Sequence, residues 1–149
     1  IYNVLAYSAH LHKTDDHHAS GQFMLLAIHY AHENRPKNSR YGRYIFKAVM
    51  VFFFGGFALG YAGGKLAMKA IKKVLPKELG LDFSAGQSKA YFNDLKRLYS
   101  NEYEELCKVG EKLDAVKMQE DLNSEKRKLG VGGGRIRIML NPKFLARCL

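Results

Sequence analysis

The side chains best suited to chemistry are crowded at one end of the chain. All six histidines, His10, His12, His17, His18, His29 and His32, fall within the first 32 of 149 residues. His29 and His32 stand three apart in the apolar stretch FMLLAIHYAH, which reads as a short helix carrying both imidazoles on one face. A closed metal centre needs three or four ligands. No cysteine and no third helical histidine stands at a spacing that would complete one, and no histidine lies inside the long apolar run where a buried haem ligand would be expected. The histidines therefore read as polar caps and interface contacts, and no metal site is assigned. Cys107 and Cys148 are too few for a disulfide scaffold or a Cys-only zinc site, and neither has a histidine nearby in sequence to activate it. Gly130-Val-Gly-Gly-Gly134 lacks the Lys-Ser/Thr of a phosphate loop and carries Arg135 where a dinucleotide fold places its third glycine, so it reads as a flexible connector. No catalytic constellation emerges, and a non-enzymatic role is expected.

Charge is more informative than reactive groups. The 24 Lys and Arg against 14 Asp and Glu give a net +10, which first suggests nucleic acid or a membrane surface. Its location decides between them. Residues 1–34 carry −2, residues 35–77 carry +10 with no acid at all, and residues 78–149 carry +2. Within the middle segment, Arg35, Lys37, Arg40, Arg43 and Lys47 precede an uncharged run, and Lys65, Lys69, Lys72, Lys73 and Lys77 follow it. Basic residues that flank an apolar run without entering it are the pattern of a membrane segment with snorkelling ends.

The run from Ala48 to Gly64, AVMVFFFGGFALGYAGG, has 17 uncharged residues. As a helix it extends about 26 Å, slightly short of a hydrocarbon core of about 30 Å. Lys47 and Lys65, five turns apart on one face, close the gap, and Tyr44 and Tyr61 lie toward the two interfaces. Gly55, Gly56, Gly60, Gly63 and Gly64 would each cost a water-soluble helix about 1 kcal/mol relative to Ala. Lipid offers the backbone no other hydrogen-bond partner, so a glycine-rich helix persists there. Gly56, Gly60 and Gly64, four apart, form a groove for a neighbouring helix on the face away from Lys47 and Lys65. Arg43, Lys47, Lys65, Lys69, Lys72 and Lys73 are the expected lipid-headgroup contacts. Five basic residues on each side leave the orientation open. The competing reading of this run is a buried helix in a soluble domain.

The remaining elements follow from periodicity. After Pro76 a turn-rich stretch leads to Ser84-x-x-Gln87, a capping-box pattern. Over residues 88–129, Phe92, Leu95, Tyr99, Leu106, Val109, Leu113 and Val116 follow three-four spacing, which predicts one long amphipathic helix. Its apolar stripe is too narrow to build a core alone and wants a partner helix, from another subunit or a second copy. Glu102 and Gly110 weaken a coiled coil. Arg135 to Leu140 alternates as a short strand or extended segment does. From Lys126 onward seven basic residues stand without an acid, yet without interleaved aromatics, so nucleic acid is a weak expectation. The chain opens on Ile1, so a leader has been removed or the start is missing, and the first 30 residues, lacking Arg and carrying Asp15 and Asp16, do not read as a leader.

These parts predict a mainly α protein. A His-rich segment with a short helix covers 1–34, a glycine-rich transmembrane helix with basic flanks 35–77, an amphipathic helical segment 78–129, and an extended Gly-rich, basic tail 130–149. The layout resembles the supernumerary single-span subunits of mitochondrial energy-transducing complexes. In particular, Gly42-Arg43-Tyr44 ahead of Gly56-x-x-x-Gly60, with a charged helix behind, resembles the subunit e family of ATP synthase. About a third of the chain carries the likeness, and segments 1–34 and 130–149 have no counterpart in it. The resemblance implies a single-pass, non-catalytic inner-membrane subunit that associates with other membrane subunits through Gly56 and Gly60. It implies no cofactor, with an anionic phospholipid such as cardiolipin as the molecule its basic flanks would hold. The alternatives are a soluble basic RNA-binding or ribonucleoprotein-associated protein and, third, a His-ligated redox subunit.

Overall fold

The computed structural model describes residues 2–34, 44, 45, 48, 51, 79–82, 85–128 and 137–140. Among them are helices α1 (Tyr2–Lys13), α2 (His17–Asn34), α3 (Ala85–Leu98), α4 (Ser100–Glu111) and α5 (Ala115–Lys128). Strands β1 (Leu79–Asp82) and β2 (Arg137–Leu140) pair antiparallel, Leu79 opposite Leu140 and Asp82 opposite Arg137. The mainly helical class holds.

The N-terminal 34 residues form a helical hairpin rather than one short helix, and its corner is made by a few polar groups. Asp15 adopts φ 63°, the left-handed turn that ends many helices. The amide of Asp16 bonds the Leu11 carbonyl at 2.9 Å and that of Asp15 bonds the His12 carbonyl at 3.1 Å, which satisfies two of the carbonyls in the last turn of α1. Asp16 then caps α2, its Oδ1 accepting from the Ala19 amide at 3.2 Å. His10, His12 and Lys13 occupy the last turn of α1, where the helix dipole favours positive charge.

The single helix expected over 88–129 is three helices, broken by two short interruptions. Tyr99 leaves helical geometry at φ −136°, ψ 60°. At the second break, the amides of Lys112 and Leu113 turn back on Val109 and Gly110, each at 3.2 Å, which tightens and ends α4. Asp114 restarts the chain as α5, its Oδ1 accepting from the Val116 amide at 3.0 Å. The first break changes which side chains face inward. Tyr103, Leu106, Cys107 and Gly110 are the buried face of α4, a set at i, i+3, i+4 and i+7.

The partner that the amphipathic stripe requires is supplied inside the chain. Helix α1 is the centre, buried from Val4 through Ala9, and it packs against α2 and α4 while α2 also packs against α3. Phe92, Leu95 and Leu106 are buried in this core, and Val109 and Leu113 are half-buried against it. Tyr99 and Val116, expected on the same stripe, are exposed because they sit at the break and on the first turn of α5. Phe23, Met24, Leu25 and Ile28 of α2 fill the other side. Tyr44, Ile45, Ala48 and Val51, all helical, are buried in the same core, and the Tyr44 and Tyr99 rings meet edge-on at 6.1 Å.

No helix among the described residues is long and apolar enough to cross a membrane. Of the apolar run 48–64 only Ala48 and Val51 are described. The expected packing and lipid residues Gly56, Gly60, Gly64, Arg43, Lys47, Lys65, Lys69, Lys72 and Lys73 lie outside the described residues.

Candidate functional site

Three helices meet on one imidazole. His12, in the last turn of α1 and 7% exposed, places Nε2 3.0 Å from Asn93 Oδ1 on α3 and Nδ1 2.7 Å from the Tyr103 hydroxyl on α4. Asn93 Oδ1 can only accept, so Nε2 carries the proton and Nδ1 accepts from the Tyr103 O–H. The ring is enclosed by Phe92 at 5.3 Å, His17 at 5.3 Å and Tyr103 edge-on at 5.7 Å. Burial pushes the imidazole pKa below its ordinary value. The bond to Asn93 opposes that shift, the charges of His17 and Lys96 add to it, and Asp15 opposes it. The Tyr103 phenol is held well above its usual range, first by burial and then by Cys107.

Beside this junction lies Cys107, whose thiol donates to the Ala9 carbonyl at 3.5 Å. It forms one wall of a cleft of about 270 Å³ with His10, Lys13, Thr14, Lys108 and Glu111. Burial raises the thiol pKa, against the lowering effects of Tyr103 and Lys13, so the thiol is protonated at neutral pH and a poor nucleophile.

A second polar cluster ties α1, α2 and α3 with three serines. Ser8 Oγ donates to the Ser20 carbonyl at 2.6 Å, and Ser20 Oγ donates to the Ser8 carbonyl at 2.8 Å, a reciprocal clasp. Ser88 Oγ stands 3.2 Å from Ser20 Oγ and supplies the proton of that bond, since the Ser20 hydroxyl proton is already used. Helix α2 also meets α5: His29 Nε2 lies 3.6 Å from Glu125 Oε2, and Lys126 Nζ donates to Gln22 Oε1 at 3.3 Å.

The arrangement can hold helices in register through buried, mutually satisfied polar groups. Among the described residues no three His, Cys, Asp or Glu side chains converge as metal ligands do. The histidines are divided among different tasks. His12 joins three helices, His18 bonds Gln22 at 3.2 Å, and His29 pairs with Glu125.

Sequence reasoning overlooked His12, Asn93, Tyr103 and the three serines as a set. Asn93 and Tyr103 lie 81 and 91 residues beyond His12, so no local pattern joins them. A usable signal existed for Tyr103, one residue after Glu102, which breaks the apolar spacing. No protein-family model, curated protein or solved structure matches this chain.

Proposed function

We propose that this chain is a non-catalytic accessory subunit of a membrane assembly, attached to lipid through residues 35–77 and holding neighbouring subunits by helix packing. The observation that carries the reading is the placement of charge: ten basic residues and no acid in 35–77, split evenly around the uncharged stretch 48–64. The helical body supports it, because His12, Asn93, Tyr103 and the three serines of α1 to α4 are engaged in holding those helices to one another. Gly56, Gly60 and Gly64, by their spacing, offer the groove for a neighbouring helix. The resemblance to the subunit e family of ATP synthase suggests the mitochondrial inner membrane as the setting, ATP synthase or a respiratory-chain complex as the assembly, and cardiolipin as the bound lipid.

The test is fractionation of salt-washed membranes followed by a native gel after mild detergent extraction. The chain is expected in a large membrane assembly, and recovery as a free monomer in the soluble fraction overturns the reading. Gly60→Leu is expected to release the chain from the assembly while leaving it in the membrane. Unchanged co-migration refutes the role of the glycine groove.

A further inference from the structure

Tyr91 and Tyr103 are both buried phenols, 0% and 1% exposed, and they differ in what stands at the hydroxyl. The Tyr91 oxygen has no hydrogen-bond partner among the described residues. Tyr103 donates to His12 Nδ1 at 2.7 Å, a lone pair kept open because Asn93 Oδ1 accepts the Nε2 proton at 3.0 Å. Holding α1 to α4 requires a hydrogen bond at this point, which an amide would also supply. What an imidazole adds is a base.

A base at that distance changes what a buried phenol can do. A phenol that gives up one electron becomes a radical cation and must shed its proton, and a charged group without a partner is costly in the interior. Tyr91 is in that position. Tyr103 has an acceptor within the reach at which general bases take protons, about 2.6–3.2 Å. The step balances on residues already in place. One electron leaves the Tyr103 ring, the phenolic O–H bond breaks, and its proton forms an N–H bond at His12 Nδ1. The products are a neutral phenoxyl radical and an imidazolium, and both imidazolium N–H groups then have acceptors, the phenoxyl oxygen and Asn93 Oδ1. Burial, His17 and Lys96 act against the cation, and Asn93 and Asp15 favour it. Lys96, its Nζ 6.0 Å from the Tyr103 ring centroid, also makes the electron harder to remove. Re-reduction reverses the step, the electron returning to Tyr103 and the proton to its oxygen.

We infer that Tyr103 and His12 form a one-electron redox site, with Tyr103 as electron donor and His12 as proton acceptor. The co-reactant is a one-electron oxidant, a metal complex or an organic radical. It does not touch the phenol, which is 1% exposed, and takes the electron across packed side chains. The cleft walled by Cys107, His10 and Lys13 brings open space within one helical turn of Tyr103, because Cys107 follows it by four residues on the buried face of α4.

The experiment treats the full chain with a limiting amount of photo-oxidised ruthenium tris-bipyridine, so that the most readily oxidised side chain reports, and reads the frozen product by electron paramagnetic resonance. The expected product is a neutral tyrosyl radical with a strong coupling to one exchangeable proton, the proton held between His12 and the phenoxyl oxygen. This reading needs no substitution, and a tyrosyl radical without that coupling overturns the pair. Tyr103→Phe is expected to remove most of the signal and Tyr91→Phe to leave it. A signal that survives Tyr103→Phe places the oxidation on another tyrosine and overturns the assignment. His12→Gln distinguishes a base from a hydrogen-bond partner, since an amide can bond the phenol but cannot take its proton. Loss of most of the radical yield is expected in a chain whose circular dichroism is unchanged. An unchanged yield overturns the role of His12.

Discussion

The Tyr103 hydroxyl lies 2.7 Å from His12 Nδ1, so residues 91 apart in sequence join the last turn of α1 to the buried face of α4. The bond has one arrangement when His12 is neutral. Asn93 takes the Nε2 proton, and Tyr103 must donate to Nδ1. Tyr103→Phe keeps the ring, its contacts with Phe92 and its volume, but leaves Nδ1 a buried acceptor with no donor. Such an orphan costs about 1–3 kcal/mol. Urea unfolding is expected to show that loss with an unchanged slope, and a loss below about 0.5 kcal/mol would show that the junction does not contribute to stability.

The same histidine makes stability depend on pH in a defined direction. Its folded-state pKa lies below the unfolded value of about 6.5, mainly through burial, so the unfolded chain binds the proton more readily. Its contribution is complete above about pH 6.5 and is lost as pH falls through the lower folded pKa. Unfolding free energy is expected to fall between pH 7.5 and 5.5, and the fall should be shallower in His12→Gln, which cannot take up that proton. Equal slopes in the two proteins would assign the pH dependence to other groups.

Local spacing made part of this molecule legible and long-range contact hid the rest. Three-four periodicity correctly marked Phe92, Leu95 and Leu106 as inward facing, because a helix face is decided by residues within a few positions of each other. It ran past Tyr99 and Leu113, since neither Gly nor Pro marks those breaks. Asp114, a strong N-cap residue, was the available sign of the second. His12 and the serines were illegible for a different reason. A buried polar residue in an apolar helix looks like an interruption until its partners, on helices distant in sequence, are known. Gly110 was read as a weakness in a coiled coil. Its meaning depends on what packs against it.

Helix α1 packs onto Gly110 so closely that an added Cβ would overlap the Ala6 carbonyl oxygen and come within 2.8 Å of His10 Cβ. The nearest atoms are backbone and cannot rotate away. Gly110→Ala gains about 1 kcal/mol of helix propensity, but separating two packed backbones costs more, commonly about 1–3 kcal/mol in an already filled core. A net destabilisation is expected in thermal unfolding. A Tm equal to or above that of the unaltered chain would mean that α1 and α4 are not in contact at this point.

The α1–α2 corner offers a change of the opposite sign. Asp15 holds φ 63°, a conformation that burdens any residue with a Cβ, and its side chain is almost fully exposed beside His17. Glycine removes that strain, and an exposed ion pair contributes little. Asp15→Gly is therefore expected to raise stability by about 0.5 kcal/mol, after the greater freedom of glycine in the unfolded chain is subtracted. A loss of more than about 1 kcal/mol in urea unfolding would mean that the Asp15 carboxylate, and not its backbone, holds the corner.

Tyr91 is fully buried on α3, yet its hydroxyl has no hydrogen-bond partner among the described residues. Burial, followed by the proximity of Tyr44, holds its phenol far above the ordinary pKa, so it is neutral at neutral pH. The ring packs edge-on against Phe92 at 4.9 Å, a contact that Phe retains. An unsatisfied buried hydroxyl costs about 1–3 kcal/mol of desolvation without return, so its removal need not destabilise. Tyr91→Phe is expected to leave the unfolding free energy unchanged or to raise it, in contrast to Tyr103→Phe. The two tyrosines share a core and differ in whether the hydroxyl has a partner, and a loss of more than about 1 kcal/mol in Tyr91→Phe would show that its hydroxyl is bonded after all.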